Sequence, residues 1–341
     1  MSQSLTDRER SVLEAVIATY VDTAEPAGSR TISRRFGLAL SPASIRNIMS
    51  DLEEKGYLYH PHTSAGRIPT DQAYRLYVDQ LMPPTAVTAS EAERIREGLR
   101  GERSALDELL RRAAQVLGVL TSELGVVGSP TLDDAVLERL ELLQVSAERL
   151  LLVLTLRSGV VRTIFVEVPA QMAAEAVVQV ALVLNDRLAG LTLREIRQSI
   201  PARLRDVGTD ADATELLNIF VQEADELFDV SDGGVVLGST QPISGQPEFA
   251  TKEGPQGPLH VTERRDILRD ALTRRHEPGL TITIGTEHGD PKLAPFTLVT
   301  STYRLGPLSG VIGVMGPTRM PYQKIVALVE HTSRLVGELY E

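Results

Sequence analysis

Apolar positions recur at helical spacing in four runs between residues 6 and 81, and the breaks between the runs fix where each starts and stops. Leu13, Val16, Ile17, Tyr20 and Val21 define a first helix over about 7–22. Thr6 and Glu9 stand at its N-cap and N3 positions as a capping box, which satisfies two N–H groups that the helix cannot. Glu25-Pro26-Ala27-Gly28 breaks the pattern. Ser29 is then expected to cap a short second helix that turns Ile32 and Phe36 inward and stops at Gly37. The third helix has the clearest start. Ser41 is its N-cap, Pro42 sits at N1 where a missing N–H costs nothing, and Leu40 staples to Ile45. Ile45, Ile48, Met49 and Leu52 fall within about 100° on the helical wheel and form its buried stripe. After Gly56, residues 57–60 predict a strand, 61–66 a small-residue tip, and 67–69 the returning strand. Thr70 caps a fourth helix carrying Tyr74, Tyr77, Val78 and Leu81, and Pro83-Pro84-Thr85 reads as a linker.

Helix, turn, helix and hairpin in that order is the layout of a winged helix-turn-helix, whose second helix of the pair enters the major groove of DNA. The polar side of the third helix carries Ala43, Asn47 and Ser50, flanked by Ser44 and Arg46. Short side chains with Asn and Arg are the types that approach and pair with base edges, and a merely solvated face more often carries Glu and Lys. Here the charged residues are delayed to 51–55. Arg30, Arg34 and Arg35 on the second helix and Arg67 on the hairpin supply charge for phosphate, with Arg67 also suited to a minor groove. His60 and His62 read equally well as exposed hairpin residues. A metal site on that pair lacks a third ligand.

Beyond the linker, residues 89–101 are charged and helical, and Leu106, Leu109, Ala113, Val116 and Leu120 repeat at 3,4,3,4 spacing. That seam lasts about two heptads, which suits a packed helix or a dimer contact. A strand at 124–127 is followed by strands at 137–145, 150–156 and 160–168, a meander, and then by helical runs at 171–189, 192–198, 202–206 and 211–229. Residues 133–231 thus read as one α+β unit, a three-stranded antiparallel sheet covered by helices. Strands at 233–239, 280–286, 296–304 and 309–315, a helix at 261–275 and a last helix from Tyr322 complete the chain. The fold class is multidomain α+β.

The net charge of −11 changes the picture only through its distribution. Residues 26–70 hold six basic and three acidic side chains, so a patch of +3 sits on a body of −14. Such a chain binds nonspecific DNA weakly and needs base contacts and a dimer for specificity. With no Cys among 341 residues, disulfides, thiol catalysis and Cys-ligated zinc are excluded. No signal peptide and no membrane-length apolar run is present, so a soluble, cytoplasmic protein with no membrane association is expected. Gly310, Gly313 and Gly316 lie within a predicted strand and are not a dinucleotide fingerprint. They read as close-packing glycines. The polar segment 285–290 reads as a structural or interaction loop before a ligand site or an acid–base pair.

Three N-terminal segments carry a resemblance. They are Glu25-Pro26-Ala27-Gly28-Ser29-Arg30-Thr31, Ser44-Ile45-Arg46-Asn47-Ile48-Met49-Ser50-Asp51-Leu52-Glu53, and Pro61-His62-Thr63-Ser64-Ala65-Gly66-Arg67-Ile68-Pro69-Thr70. With Ile284-Gly285-Thr286-Glu287 and Gly313-Val314-Met315-Gly316-Pro317-Thr318-Arg319-Met320 followed by Tyr322, they resemble the HrcA family of bacterial heat-inducible transcription repressors. Pro321 and His288 depart from the family's usual acidic residue and Asn. The resemblance implies a winged helix over 1–85, a GAF-like domain assembled from 86–132 and 232–341, and an inserted dimerisation domain over 133–231. It further implies repression of chaperone operons of the groE and dnaK type, through an inverted-repeat operator called CIRCE bound by a homodimer. It implies, too, that a GroEL-type chaperonin helps keep the repressor folded and that heat relieves repression. No cofactor and no catalytic residue is expected. The candidate DNA-binding set is Arg30, Thr31, Arg34, Arg35, Ser41, Ala43, Ser44, Arg46, Asn47, Ser50, His62 and Arg67. The competing expectation is a winged-helix regulator gated by a small molecule in the GAF-like domain.

Overall fold

A computed structural model describes residues 5–61, 66–100, 106–130, 132–169, 171–205, 211–228, 234–249, 265–273, 279–306 and 308–340. It is a mixed α+β molecule with three antiparallel sheets. The N-terminal elements are α1 (Asp7–Thr23), α2 (Ser29–Phe36), α3 (Pro42–Glu54), the two-stranded pair β1 (Leu58–Tyr59) and β2 (Ile68–Pro69), and α4 (Asp71–Leu76). The capping box at Thr6 and Glu9 forms, and Leu13, Ile17, Ile32, Ile45, Leu52 and Leu58 are buried where α1, α2, α3 and β1 meet. Ser29 is not the cap of α2. Ala27 is held in an antiparallel bridge with Arg67, so helical dihedrals begin directly after Gly28, which takes the cap position without a side-chain bond. α4 widens into a π-helical turn over Tyr77–Leu81, so the fourth helical run is not one regular helix.

Two helices follow, α5 (Ala89–Leu99) and α6 (Leu106–Thr121), and then β3 (Leu124–Gly128). The seam of α6 is consumed inside its own chain. Leu106, Leu109, Ala113 and Leu120 are buried where the helix packs against α5, β3 and the C-terminal helix Tyr322–Tyr340. It is therefore not a free dimer seam.

The meander forms as β4 (Leu137–Ser146), β5 (Arg149–Leu156) and β6 (Val161–Glu167), paired in sequence order. Four helices follow: α7 (Ala174–Leu188), α8 (Leu193–Arg203), α9 (Ala211–Gln222) and α10 (Ala224–Phe228). No separate helix begins at 202, because α8 runs on through Pro201 to Arg203. The ring removes a single donor so late in the helix, and the Leu204 N–H still reaches the Ile200 carbonyl at 3.1 Å. The expected run at 211–229 is broken at Glu223 into α9 and α10.

The last sheet has the order β7-β3-β10-β9-β8, built from β7 (Val235–Leu237), β8 (Leu280–Ile284), β9 (Phe296–Leu305) and β10 (Leu308–Pro317) around β3. Successive residues along its strands serve different cores. Val127, Val299 and Val314 join the main core, on the side of α6 and the C-terminal helix. Val126, Leu298 and Met315 join a smaller core with Leu268 and Leu272 of the helix Arg265–Thr273. Strand β8 stops at Ile284, earlier than the pattern implied. Gly285 takes φ +54° and turns the chain into a 3-10 segment, Gly285–His288. Gly310 and Gly313 lie in β10 where neighbouring strands leave no room for a side chain.

Candidate nucleic-acid interface

Helix α3 presents two unlike faces. Ile45, Met49 and Leu52 are buried and Ile48 is half-buried, while Ala43, Ser44, Arg46 and Asn47 are exposed. The start of the helix is fixed as the sequence indicates. The Ser41 hydroxyl accepts the Ser44 N–H at 3.1 Å, and Leu40 packs against the core that holds Ile45. Lys55 closes the far end by pairing with Glu9 at 2.6 Å, which ties the end of α3 to the start of α1. That bond, with the Thr6 backbone, holds the Glu9 carboxyl below its ordinary range, against the opposing effect of burial.

Three basic side chains remain available to an anion. Among the described residues Arg30, Arg34 and Arg46 have no hydrogen-bond or ion-pair partner, and the same holds for Asn47. All four are exposed, as is Thr31. Other members of the predicted set are engaged within the protein. Arg35 pairs with Asp22 and lies 5.3 Å over the Phe36 ring. Ser41 and Ser44 share the cap, with their hydroxyls 2.9 Å apart. Ser50 donates to the Arg46 carbonyl at 3.2 Å.

Arg67 differs most from expectation. Its backbone exchanges both hydrogen bonds with Ala27, and its side chain is only 11% exposed. The guanidinium is taken by Glu53 at 2.8 Å and reaches Ser50 at 3.4 Å. It therefore seats the hairpin on α3 and does not extend as an open finger. His60 joins the same carboxylate, with Nδ1 2.8 Å from Glu53 Oε1. Glu53 is thus an organising residue that sequence reading passed over as one of a charged run. His62 lies outside the described residues.

A second uncovered surface lies on the meander. One face of β4–β6 is buried, with Leu150, Leu152, Leu154 and Val166 fully enclosed. On the other face Leu143, Leu151 and Phe165 are cross-strand neighbours in one row. Leu143, Val161 and Phe165 are exposed there, Phe165 by 61%. A cavity of about 240 Å³ lies beside β8, lined by Asp270, Thr281, Thr283, Glu287, His288 and Asp290 among others. Among the described residues no helix is long and apolar enough to cross a membrane.

The family model described as HrcA protein C terminal domain matches residues 107–326. The chain is 40% identical over 344 residues to the heat-inducible transcription repressor HrcA of Chlorobium phaeobacteroides (strain BS1), covering 97% of each. It is 36% identical over 342 residues to the protein of the same name from Syntrophobacter fumaroxidans, covering 99% of this chain and 98% of that one. A crystal structure of a hypothetical protein aligns over 99% of both chains with a TM-score of 0.65 at 22% identity, a likeness of fold. These matches put the chain among transcriptional regulators and not among enzymes. It belongs to the HrcA family, whose members are named heat-inducible transcription repressors.

Proposed function

We propose that the chain is an operator-specific repressor in which residues 1–85 form a winged helix and α3 enters the major groove. The observation that carries this reading is the exposed face of Ala43, Ser44, Arg46 and Asn47 on a helix whose other side is buried. Arg46 and Asn47 have the donor and acceptor geometry for guanine and adenine edges. Arg30 and Arg34 stand on the preceding helix for phosphate.

Residues 133–231 are the inserted dimerisation domain, and 86–132 with 232–341 the GAF-like domain. In support, the meander and its helices lie in sequence between β3 and β7, which are neighbours in the five-stranded sheet. The open row of Leu143, Leu151 and Phe165 is suited to a second copy of the chain, since a two-fold axis presents one apolar face to its own equivalent. Two reading heads related by that axis match an inverted repeat. The family's CIRCE operator at groE- and dnaK-type operons is the expected target, and a GroEL-type chaperonin the expected folding partner.

Gel-shift titration on an inverted-repeat duplex tests this. Arg46→Ala and Asn47→Ala each weaken specific binding by about 1–3 kcal/mol and leave the circular-dichroism spectrum unchanged. Wild-type binding by both variants would remove α3 from the interface. The cavity beside β8 favours a second reading, a regulator gated by a small molecule. Saturable thermal stabilisation of the full chain in a metabolite screen would support it.

A further inference from the structure

The N-terminal elements are bolted to the five-stranded sheet by charged side chains that the DNA-reading surface does not use. Asp71 and Arg75 lie one turn apart on α4, directly after the hairpin. Asp71 Oδ2 accepts the Thr286 N–H at 3.0 Å and the Thr286 hydroxyl at 3.1 Å. Arg75 donates Nε to Glu287 Oε1 at 2.7 Å, and Nη2 both to Glu287 Oε2 at 2.5 Å and to the Ile282 carbonyl at 2.6 Å. Glu287 in turn accepts the Ile284 N–H at 2.8 Å. Burial works against its charge, but these bonds outweigh it and hold the carboxyl below its ordinary range. A side chain at Gly285 would collide with the Asp71 carboxylate, so glycine is needed there for space as well as for its positive φ.

Two further contacts brace the same junction. Arg319, just past β10, donates Nη1 to the Val21 carbonyl in the last turn of α1 at 2.7 Å, and is itself held by Glu248 and Gln246. Tyr74 of α4 packs on Tyr322 with ring centres 5.7 Å apart. The connection onward to α3 is short. Thr70, the cap of α4, donates to the carbonyls of Gly56 and Tyr57 at 2.7 and 3.2 Å, immediately beyond the end of α3.

We propose that Asp71, Arg75, Thr286 and Glu287 are positioning residues for operator binding. They fix the angle at which α3 leaves the sheet, and so the separation and orientation of the two reading heads in a dimer, without touching DNA. The inference rests on the operator reading above. Bidentate guanidinium–carboxylate geometry resists rotation as well as separation, which a single apolar contact does not. A head free to swivel still binds one half-site, but it forfeits the effective concentration of the second.

The test uses full-length Arg75→Ala, Glu287→Gln and the charge swap R75E/E287R on the inverted-repeat duplex that wild type retards. Each protein is titrated against that duplex, against versions with the spacer changed by one and two base pairs, and against a single half-site. The single variants are expected to lose about tenfold on the native spacer and to keep wild-type affinity for the half-site. They should also discriminate less between spacers, and the swap should restore part of that discrimination. Wild-type affinity and spacer profile in both single variants overturns the clamp while leaving the operator reading intact. A half-site loss that tracks a lowered unfolding midpoint also overturns it, since the residues are then merely structural. If Arg75→Ala does not fold, the isosteric Glu287→Gln decides alone. Failure of wild type to retard any inverted repeat removes the operator reading itself.

Discussion

Two buried glutamates set the reading head and the sheet body apart. Glu9, in the first turn of α1, is 7% exposed and fully engaged, by Lys55 at 2.6 Å and by both donors of Thr6. Glu123, between α6 and β3, is 2% exposed, and its Oε2 has no hydrogen-bond partner among the described residues. The first carboxyl is held below its usual value. The second is pushed up to about 9, chiefly by burial, with Arg319 opposing and Glu248 adding to the rise. One environment favours the charged form and the other the neutral form. The uncovered surfaces differ in the same sense. The head leaves open a polar, basic helix face, and the inserted meander leaves open an apolar sheet face. On the operator reading proposed above, the head holds its shape and contacts a charged partner. The rest of the chain carries features that make its stability conditional.

The largest expected effect comes from the apolar face. Phe165→Asp puts a charge in the exposed row beside Leu151 and should turn a dimer into a monomer by analytical ultracentrifugation. Operator affinity should fall by about 10²–10⁴ as bivalency is lost. An unchanged dimer would move the two-fold axis elsewhere. Next in size is Glu123→Gln. A carboxyl whose folded pKa lies above its unfolded one costs the native state increasing stability as pH rises from about 4.5 towards 9. The amide should therefore stabilise the protein by on the order of 2–4 kcal/mol at pH 8 and by little at pH 5, read from denaturant midpoints. Equal stabilisation at both values would make the effect one of packing and not of charge.

Much of the head was legible because its signals are local. Thr6 with Glu9, Ser41 with Pro42, and the Ile45, Met49 and Leu52 stripe each act within a few residues, and each forms as read. The meander β4–β6 was legible for the same reason, as three apolar runs separated by short turns. What escaped was long in sequence. The sequence puts Glu53 in a charged run, and nothing local reveals that the hairpin returns Arg67 onto it. Arg75 and Glu287 are 212 positions apart, and their pairing depends on where an edge strand ends. The α6 seam shows the converse ambiguity, which the structure resolves in favour of a packed helix. A heptad-like pattern marks an apolar stripe but not whether the stripe meets its own chain or another.

Smaller effects sharpen the contrast from the head's side. Glu9→Gln should cost about 1–2 kcal/mol at pH 7, since the charge-assisted bond to Lys55 is lost. The folded pKa of Glu9 is depressed, so that contribution is complete above the ordinary value of 4.5 and fades as pH falls below it. The gap between variant and wild type should therefore close in acid, as it does for Glu123→Gln. The sign is opposite, since here the variant is the less stable protein, and the window lies below 4.5 instead of between about 4.5 and 9. Ser41→Ala removes only the cap of α3 and should lower stability by about 1 kcal/mol, visible as a small drop in Tm. An unchanged Tm would mean that Pro42 and the Leu40 contact suffice to start the helix.

The strand order of the five-stranded sheet has a consequence for the timing of synthesis. Residues of α1 to α3 can pack as soon as they leave the ribosome, since they pack on one another and are close in sequence. Strand β3 cannot, because Val126 and Val127 pair with Gly313 and Ile312 of β10. At roughly 5–20 residues per second, that partner emerges roughly 10–40 s later. Through that interval a short apolar strand stands without its central neighbour, while the three-stranded block between completes itself. Each new molecule thus passes through a period in which its head is formed and its body is not.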